Sequence, residues 1–156
     1  MVVKSVILLR ETSHMKATLL FLFLSAVVLA DVLKVNDTFP FRQFTDQFEK
    51  KLAVTPQTKE IIISFSKKNG TEVKSFLESH KGYLKQRQAL YLADVTVAPA
   101  LAMSLFMKPA LKKYDFSVGL IEEDAIAKRL PRKEAKTTVI CLDKMMITSI
   151  TYKDRL

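Results

Sequence analysis

The sequence predicts an α/β three-layer sandwich. Its central sheet is mixed, with a parallel middle, and ends in an antiparallel hairpin. Three observations carry this. Two apolar runs of strand length, Ile61–Phe65 and Ala89–Val95, are separated by a stretch with helical apolar spacing. A second helix-length stretch leads to a third apolar run, Phe116–Ile121. The chain then closes with two short strands about Asp143-Lys144. Strand–helix–strand crossovers favour parallel pairing, with helices covering the sheet faces.

Residues 31–40 read as an extended lead-in, and the stretch from Phe44 to Lys51 as a short edge strand or turn around Asp46-Gln47-Phe48. Ile61–Phe65 is continuously β-branched with one aromatic, the pattern of a strand buried on both faces. Lys67-Lys68-Asn69-Gly70 breaks it, and Thr71 is the expected cap of the first helix. Val73, Phe76, Leu77, His80 and Leu84 then form one apolar stripe, which Gly82 weakens at its end. Pro99 is suited to the first position of a second helix. There Ser104, Lys108 and Lys112 make a narrow polar stripe, so a largely buried helix is expected, ending or kinking near Pro109. A smaller alternative is that Phe106 and Met107 stay exposed as a docking patch. Glu122-Glu123-Asp124 marks the solvated end of the third strand.

The N-terminus has the three-part layout of a secretory signal peptide. Met15-Lys16 precedes fourteen uncharged residues, Ala17 to Ala30, with small residues placed for a cut between Ala30 and Asp31. Fourteen residues fall short of the roughly 20 that span a bilayer core. Residues 1–14 fit poorly in front of such a leader, so Met15 is the expected start and 1–14 an over-long extension. The expectation is a signal helix over 15–30, a single domain over 31–156 and a periplasmic destination. An uncleaved membrane anchor is the alternative.

Composition narrows the chemistry. Removing residues 1–30 takes away Lys4, Arg10, Lys16 and Glu11, so the net charge falls from +9 to +7 over 126 residues. The basic residues are dispersed in pairs, such as Lys67-Lys68 and Lys112-Lys113, with acidic residues between them. Nucleic-acid binding needs a clustered basic face with a recognisable motif, and neither is present. The lone Cys141 excludes an intrachain disulfide and is expected to be buried in a strand. His80 is the one histidine after the leader, too few ligands for a histidine-based zinc site. No phosphate loop, G-x-G-x-x-G, nucleophile elbow or H-E-x-x-H occurs. No cofactor is therefore expected, and a flavin-dehydrogenase assignment has no motif behind it.

Several stretches carry a resemblance. Phe44-Thr45-Asp46-Gln47-Phe48, Ile61–Ser66, Tyr114–Val118 and Thr137–Asp143 are similar to the opening, the central strand, the approach to the third strand and the late strand of thioredoxin-like domains. The chain resembles that superfamily in its peroxiredoxin or thiol-reductase form, over roughly residues 38–153. It also resembles small exported proteins of ε-proteobacterial type through the DQF element, Asp94 and the stretch from Pro109 to Tyr114. The resemblance implies a thioredoxin-like sandwich with a C-x-x-C where the helix begins after the central strand. This sequence instead has Lys67-Lys68-Asn69-Gly70-Thr71, with no sulfur. Disulfide exchange needs an attacking thiolate and a resolving partner, so thiol oxidoreductase and peroxidase chemistry is not expected.

Lys67, Lys68, Asn69, Gly70 and Thr71 remain as a candidate binding loop, because a helix N-terminus with two lysines attracts anions. Asp94 is expected to cap a turn, and His80 to be structural. The leading expectation is an exported, non-redox domain that binds a protein or an envelope component, touching the membrane only transiently through its leader. The alternatives are an enzyme of unrecognised class using Asp94, His80 or the 67–71 loop, and a weak binder of anions or anionic lipid.

Overall fold

A computed structural model of the protein describes residues 31–156. The expected extension 1–14 and leader 15–30, with Ala30 of the cleavage junction, lie outside the described residues. The strands are β1 (Gln43–Asp46), β2 (Lys51–Ala53), β3 (Glu60–Ser64), β4 (Ala89–Asp94), β5 (Gly119–Ile121), β6 (Thr137–Asp143) and β7 (Met146–Lys153). They form one sheet in the order β2-β1-β5-β4-β3-β6-β7. β3, β4 and β5 run parallel, while β1, β2, β6 and β7 pair antiparallel around them.

The interior position of β3 follows from its sequence. All five of its residues are buried, so neither side of this strand can face water. Ile61 and Ile63 point into one core with Leu92, Ile121 and Ile140. Ile62 points into the other with Tyr91, Val118 and Val139. The alternation is the period-2 geometry of a strand.

Helices α1 (Lys67–Ser79) and α2 (Tyr83–Gln86) connect β3 to β4. Val73 and Leu77 of α1 seal the second core. Gly82, with φ of +82°, supplies the left-handed residue that separates the two helices. The opposite face is covered by the lead-in residues Leu33 and Phe39 and by α5 (Asp124–Arg129) through Ala127, with Leu130 beyond it. Helix α5 is absent from the sequence reading; six residues show too little periodicity to announce it. The hairpin turns at Lys144 and Met145, both at positive φ. This is the backbone that matches the right-handed twist of the flanking strands.

Four expectations need correction. The strand expected over Phe116–Ile121 is regular only from Gly119, because the Phe116 carbonyl and the Val118 N–H are bonded to the Gln47 side chain in the turn after β1. Thr71 is not the helix cap: α1 begins four residues earlier, and Lys67–Thr71 is its first turn rather than a loop. Cys141 is half-buried rather than buried, next to a register shift between Cys141 and Leu142 in the β6–β7 pairing.

The fourth correction concerns the helix after Pro99. It runs as α3 (Ala100–Ala102), a wide π turn (Met103–Met107) and α4 (Lys108–Leu111). Met103 is its one buried residue, whereas Leu101, Leu105 and Phe106 are 69%, 57% and 70% exposed. Pro109 has no N–H for the carbonyl four residues back, and its ring crowds that carbonyl. The turn before it therefore widens, and the Lys108 N–H bonds to the Met103 carbonyl, five residues back.

Candidate functional site

In parallel sheets the strand C-terminal ends, with the helix N-termini that follow them, form the edge where ligands bind. Here that edge collects the end of β3, the start of α1, the end of β4 and the loop before β6. Ser66 caps α1. Its Oγ accepts from the Asn69 N–H at 3.2 Å and donates to Asn69 Oδ1 at 2.7 Å. Asn69 is buried, and its Nδ2 donates to the Ala135 carbonyl at 3.1 Å. This pair is a close variant of the reciprocal capping box. It also ties α1 to the segment that enters β6. Both polar side chains are thereby committed to structure. Ser66 lacks the adjacent base that a nucleophilic hydroxyl requires.

Lys67 and Lys68 are exposed on the first turn of α1, and no acidic residue lies in that turn. Lys136, Lys68 and Lys133 all act on Asp154, whose carboxyl is held below its usual pKa chiefly by the hydrogen bond from Lys136. The basic residues meet at this corner through the fold, since they are dispersed along the chain.

Asp94 ends β4 with its side chain 3% exposed. Oδ1 accepts from the N–H and Oγ1 of Thr96, at 3.0 and 2.7 Å, which is the turn-capping role expected for it. Oδ2 pairs with Arg132 Nη2 at 3.2 Å. Arg132 also lies over the Phe65 ring, 4.5 Å from its centroid, and donates to the Ala127 carbonyl at 3.0 Å. One guanidinium thus clamps the end of β4, the exit of β3 and the last turn of α5, through charge, ring stacking and a hydrogen bond. Sequence reasoning counted Arg132 only as half of the dispersed basic pair Arg132-Lys133, which carries no local signal of a distant partner. It also missed Ser66, although a serine directly after a buried strand is a standard cap.

The expected residues do not converge. His80 is at the far end of α1, about 20 Å from its first turn by the rise of a 13-residue helix. There it stacks on Phe76 at 4.3 Å, and its Nδ1 lies 2.9 Å from the Phe76 carbonyl. Asp94 and the start of α1 share one edge, but Asp94 is saturated by Thr96 and Arg132. Cys141 pairs opposite Glu60, at the other end of β3. Four residues of strand, about 13 Å, separate that level from Ser64. Among the described residues no cluster of His, Cys, Asp and Glu is placed to hold a metal ion. None of their helices is long and apolar enough to cross a membrane.

Two shallow cavities flank this arrangement. One of about 330 Å³ opens at the opposite end of the sheet, lined by Leu77, His80, Tyr83 and Phe116, with Lys81 and Asp115 paired at 3.3 Å beside it. The other, about 310 Å³, lies between the end of β4 and the helix after Pro99, lined by Val95, Ala98, Met103 and Ser104 and by the Lys108–Glu122 pair. The first turn of α1 lines neither. The four most exposed large apolar side chains among the described residues, Val97, Leu101, Leu105 and Phe106, follow the end of β4, with Val97 85% exposed.

No protein-family model and no curated protein sequence matches the chain. Solved structures do. A peroxiredoxin-like protein from Aquifex aeolicus superposes with a TM-score of 0.51 at 13% identity, covering 80% of this chain and 78% of its own. AhpC from Mycobacterium tuberculosis gives a TM-score of 0.51 at 16% identity, over 78% and 88% of the two chains. The thioredoxin domain of a thiol-disulfide oxidoreductase from Bacteroides vulgatus gives 0.50 at 11% identity, over 78% and 91%. The fold is thus thioredoxin-like, as the sequence resemblance implied, and it carries one cysteine and no C-x-x-C.

Proposed function

We propose that this chain is an exported thioredoxin-like domain that works by binding a protein or an envelope component and carries out no thiol chemistry. One observation carries the reading. At the helix start after the central strand, where thioredoxins place C-x-x-C, this protein has Ser66-Lys67-Lys68-Asn69. The two side chains there are bonded to each other and to the backbone. The helix N-terminus and the lysines would lower the pKa of a thiol at that place, but no sulfur is present to use the field. Cys141 sits at the other end of the neighbouring strand pair and has no second cysteine to resolve it.

What the edge offers instead is a rigid capped helix, a basic corner and a protruding apolar row, which suit contact with another surface. The export half of the reading rests on the charge-then-apolar pattern of residues 15–30 and the small residues before Asp31.

Two measurements test the two halves. Disulfide reduction and peroxide consumption should stay at the level of buffer, and Cys141→Ala should change neither. Turnover abolished by that substitution would overturn the non-redox reading. N-terminal sequencing of the protein recovered from the cell envelope should begin at Asp31. A cytoplasmic chain that retains residues 15–30 would overturn the export reading.

A further inference from the structure

We propose that the exposed row Val97–Leu101–Leu105–Phe106, with Lys112 and Lys113 at its end, seats this domain on an anionic bilayer surface. The inference rests on the binding reading above and names the component bound. The row is not a gap left by a missing core partner, because both cores close without it. Leu101, Leu105 and Phe106 lie on the outer side of the helix and Val97 in the turn before it, and these four large apolar side chains remain 57–85% exposed.

The π turn draws the row together. In a regular α-helix, residues four and five positions on from Leu101 would diverge by about 100°. The widened turn at Met103–Met107 advances less per residue, which narrows the angle between Leu105 and Phe106 on the helix surface. Pro109 and Ala110 extend the exposed surface, and Lys112 and Lys113 follow, both exposed. Neither lysine meets a carboxylate within 4 Å among the described residues. Leucine and phenylalanine on one side with lysines beside them is the arrangement of a helix lying in a membrane interface.

Charge selects this occupant over the others. Lysine is depleted from the cores of protein–protein interfaces. An anionic headgroup layer is complementary to both parts at once, and the net charge of +7 for residues 31–156 adds to the attraction.

The test uses residues 31–156, which contain all seven strands and both cores. The chain has no tryptophan, so Phe106→Trp gives a single reporter. Its emission should shift to the blue with vesicles of phosphatidylcholine and phosphatidylglycerol, and much less with phosphatidylcholine alone. In co-sedimentation, Lys112→Glu with Lys113→Glu should weaken partitioning by at least about tenfold, since one lysine near an anionic surface is worth roughly a factor of five. Leu105→Ser with Phe106→Ser should abolish binding while leaving the thermal midpoint near that of the parent. No blue shift, equal binding to both vesicle types, or variants that bind like the parent would overturn the proposal. So would self-association lost in the serine variant, which would make the row a dimer face. Thiol turnover is measured independently of these variants, so failure here leaves the non-redox reading standing.

Discussion

Gln47 is the residue whose replacement should loosen the fold most for one polar side chain. It is fully buried in the turn after β1. Its Oε1 accepts from the Val118 N–H at 2.8 Å, and its Nε2 donates to the Phe116 carbonyl at 2.8 Å. A longer contact reaches the Leu111 carbonyl at 3.4 Å. Beside it, Asp46 Oδ1 accepts from the Phe48 and Lys50 N–H groups, and Oδ2 from Ser117. The Asp-Gln pair therefore bolts the segment after α4 to β1.

Gln47→Leu keeps the volume and removes both partners. The Val118 N–H, on a fully buried residue, is left without an acceptor, which costs roughly 1–3 kcal/mol. The lost bond to Phe116 adds about 0.5–1.5 kcal/mol, with its carbonyl near half-open surroundings. The expected loss is about 2–4 kcal/mol, against a total of about 6–19 kcal/mol for a domain of this length. At a urea slope of about 2 kcal/mol/M, the unfolding midpoint should fall by about 1–2 M with an unchanged slope. Hydrogen exchange at Val118 should accelerate more than at β3. Gln47→Glu keeps the acceptor but turns an oxygen toward two carbonyls. Its penalty should shrink on acidification, because the protonated acid can donate. A loss below about 1 kcal/mol in Gln47→Leu, with Val118 still protected, would refute the reasoning.

Two further outcomes follow from the same geometry. Ser66→Cys with Asn69→Cys places two thiols where the side-chain tips now touch at 2.7 Å. Oxidation should join them, leaving only Cys141 titratable in the denatured chain, and the reduced thiol at position 66 should alkylate with a pKa at least about one unit below the usual 8.5. Three free thiols after oxidation would show that the geometry differs. Tyr91, buried beneath α1, has its phenol pushed up to about 12 by burial, with the 2.8 Å hydrogen bond to Ser64 acting in the opposite direction. The folded state therefore holds the proton more tightly than the unfolded chain. Stability from this group is complete below about pH 10 and is lost as pH rises toward 12. Tyr91→Phe should remove that part of the alkaline destabilisation, read as the pH dependence of the urea midpoint.

Elements whose residues carry their own signal were legible before any packing is considered. Ile61–Ile63 can only be an interior strand, because the run has no side to give to water. Cys141 without a partner excludes a dithiol wherever the strand lies. The order of apolar runs and the closing hairpin are enough to specify the topology class. The tertiary structure decided what depends on pairs distant in the chain. Arg132 finds Asp94 and Phe65 only because β3 and β4 are adjacent and α5 packs over their ends. Asn69 holds Ala135 across 66 positions of sequence, which converts an apparent loop into a capped helix. The apolar helix after Pro99 looked buried because composition alone cannot reveal orientation. Met103 enters the core, with Met107 and Leu111 packed partly against it, and Leu101, Leu105 and Phe106 are left in solvent. Burial is a property of what packs on top, and that is decided only when all the layers are in place.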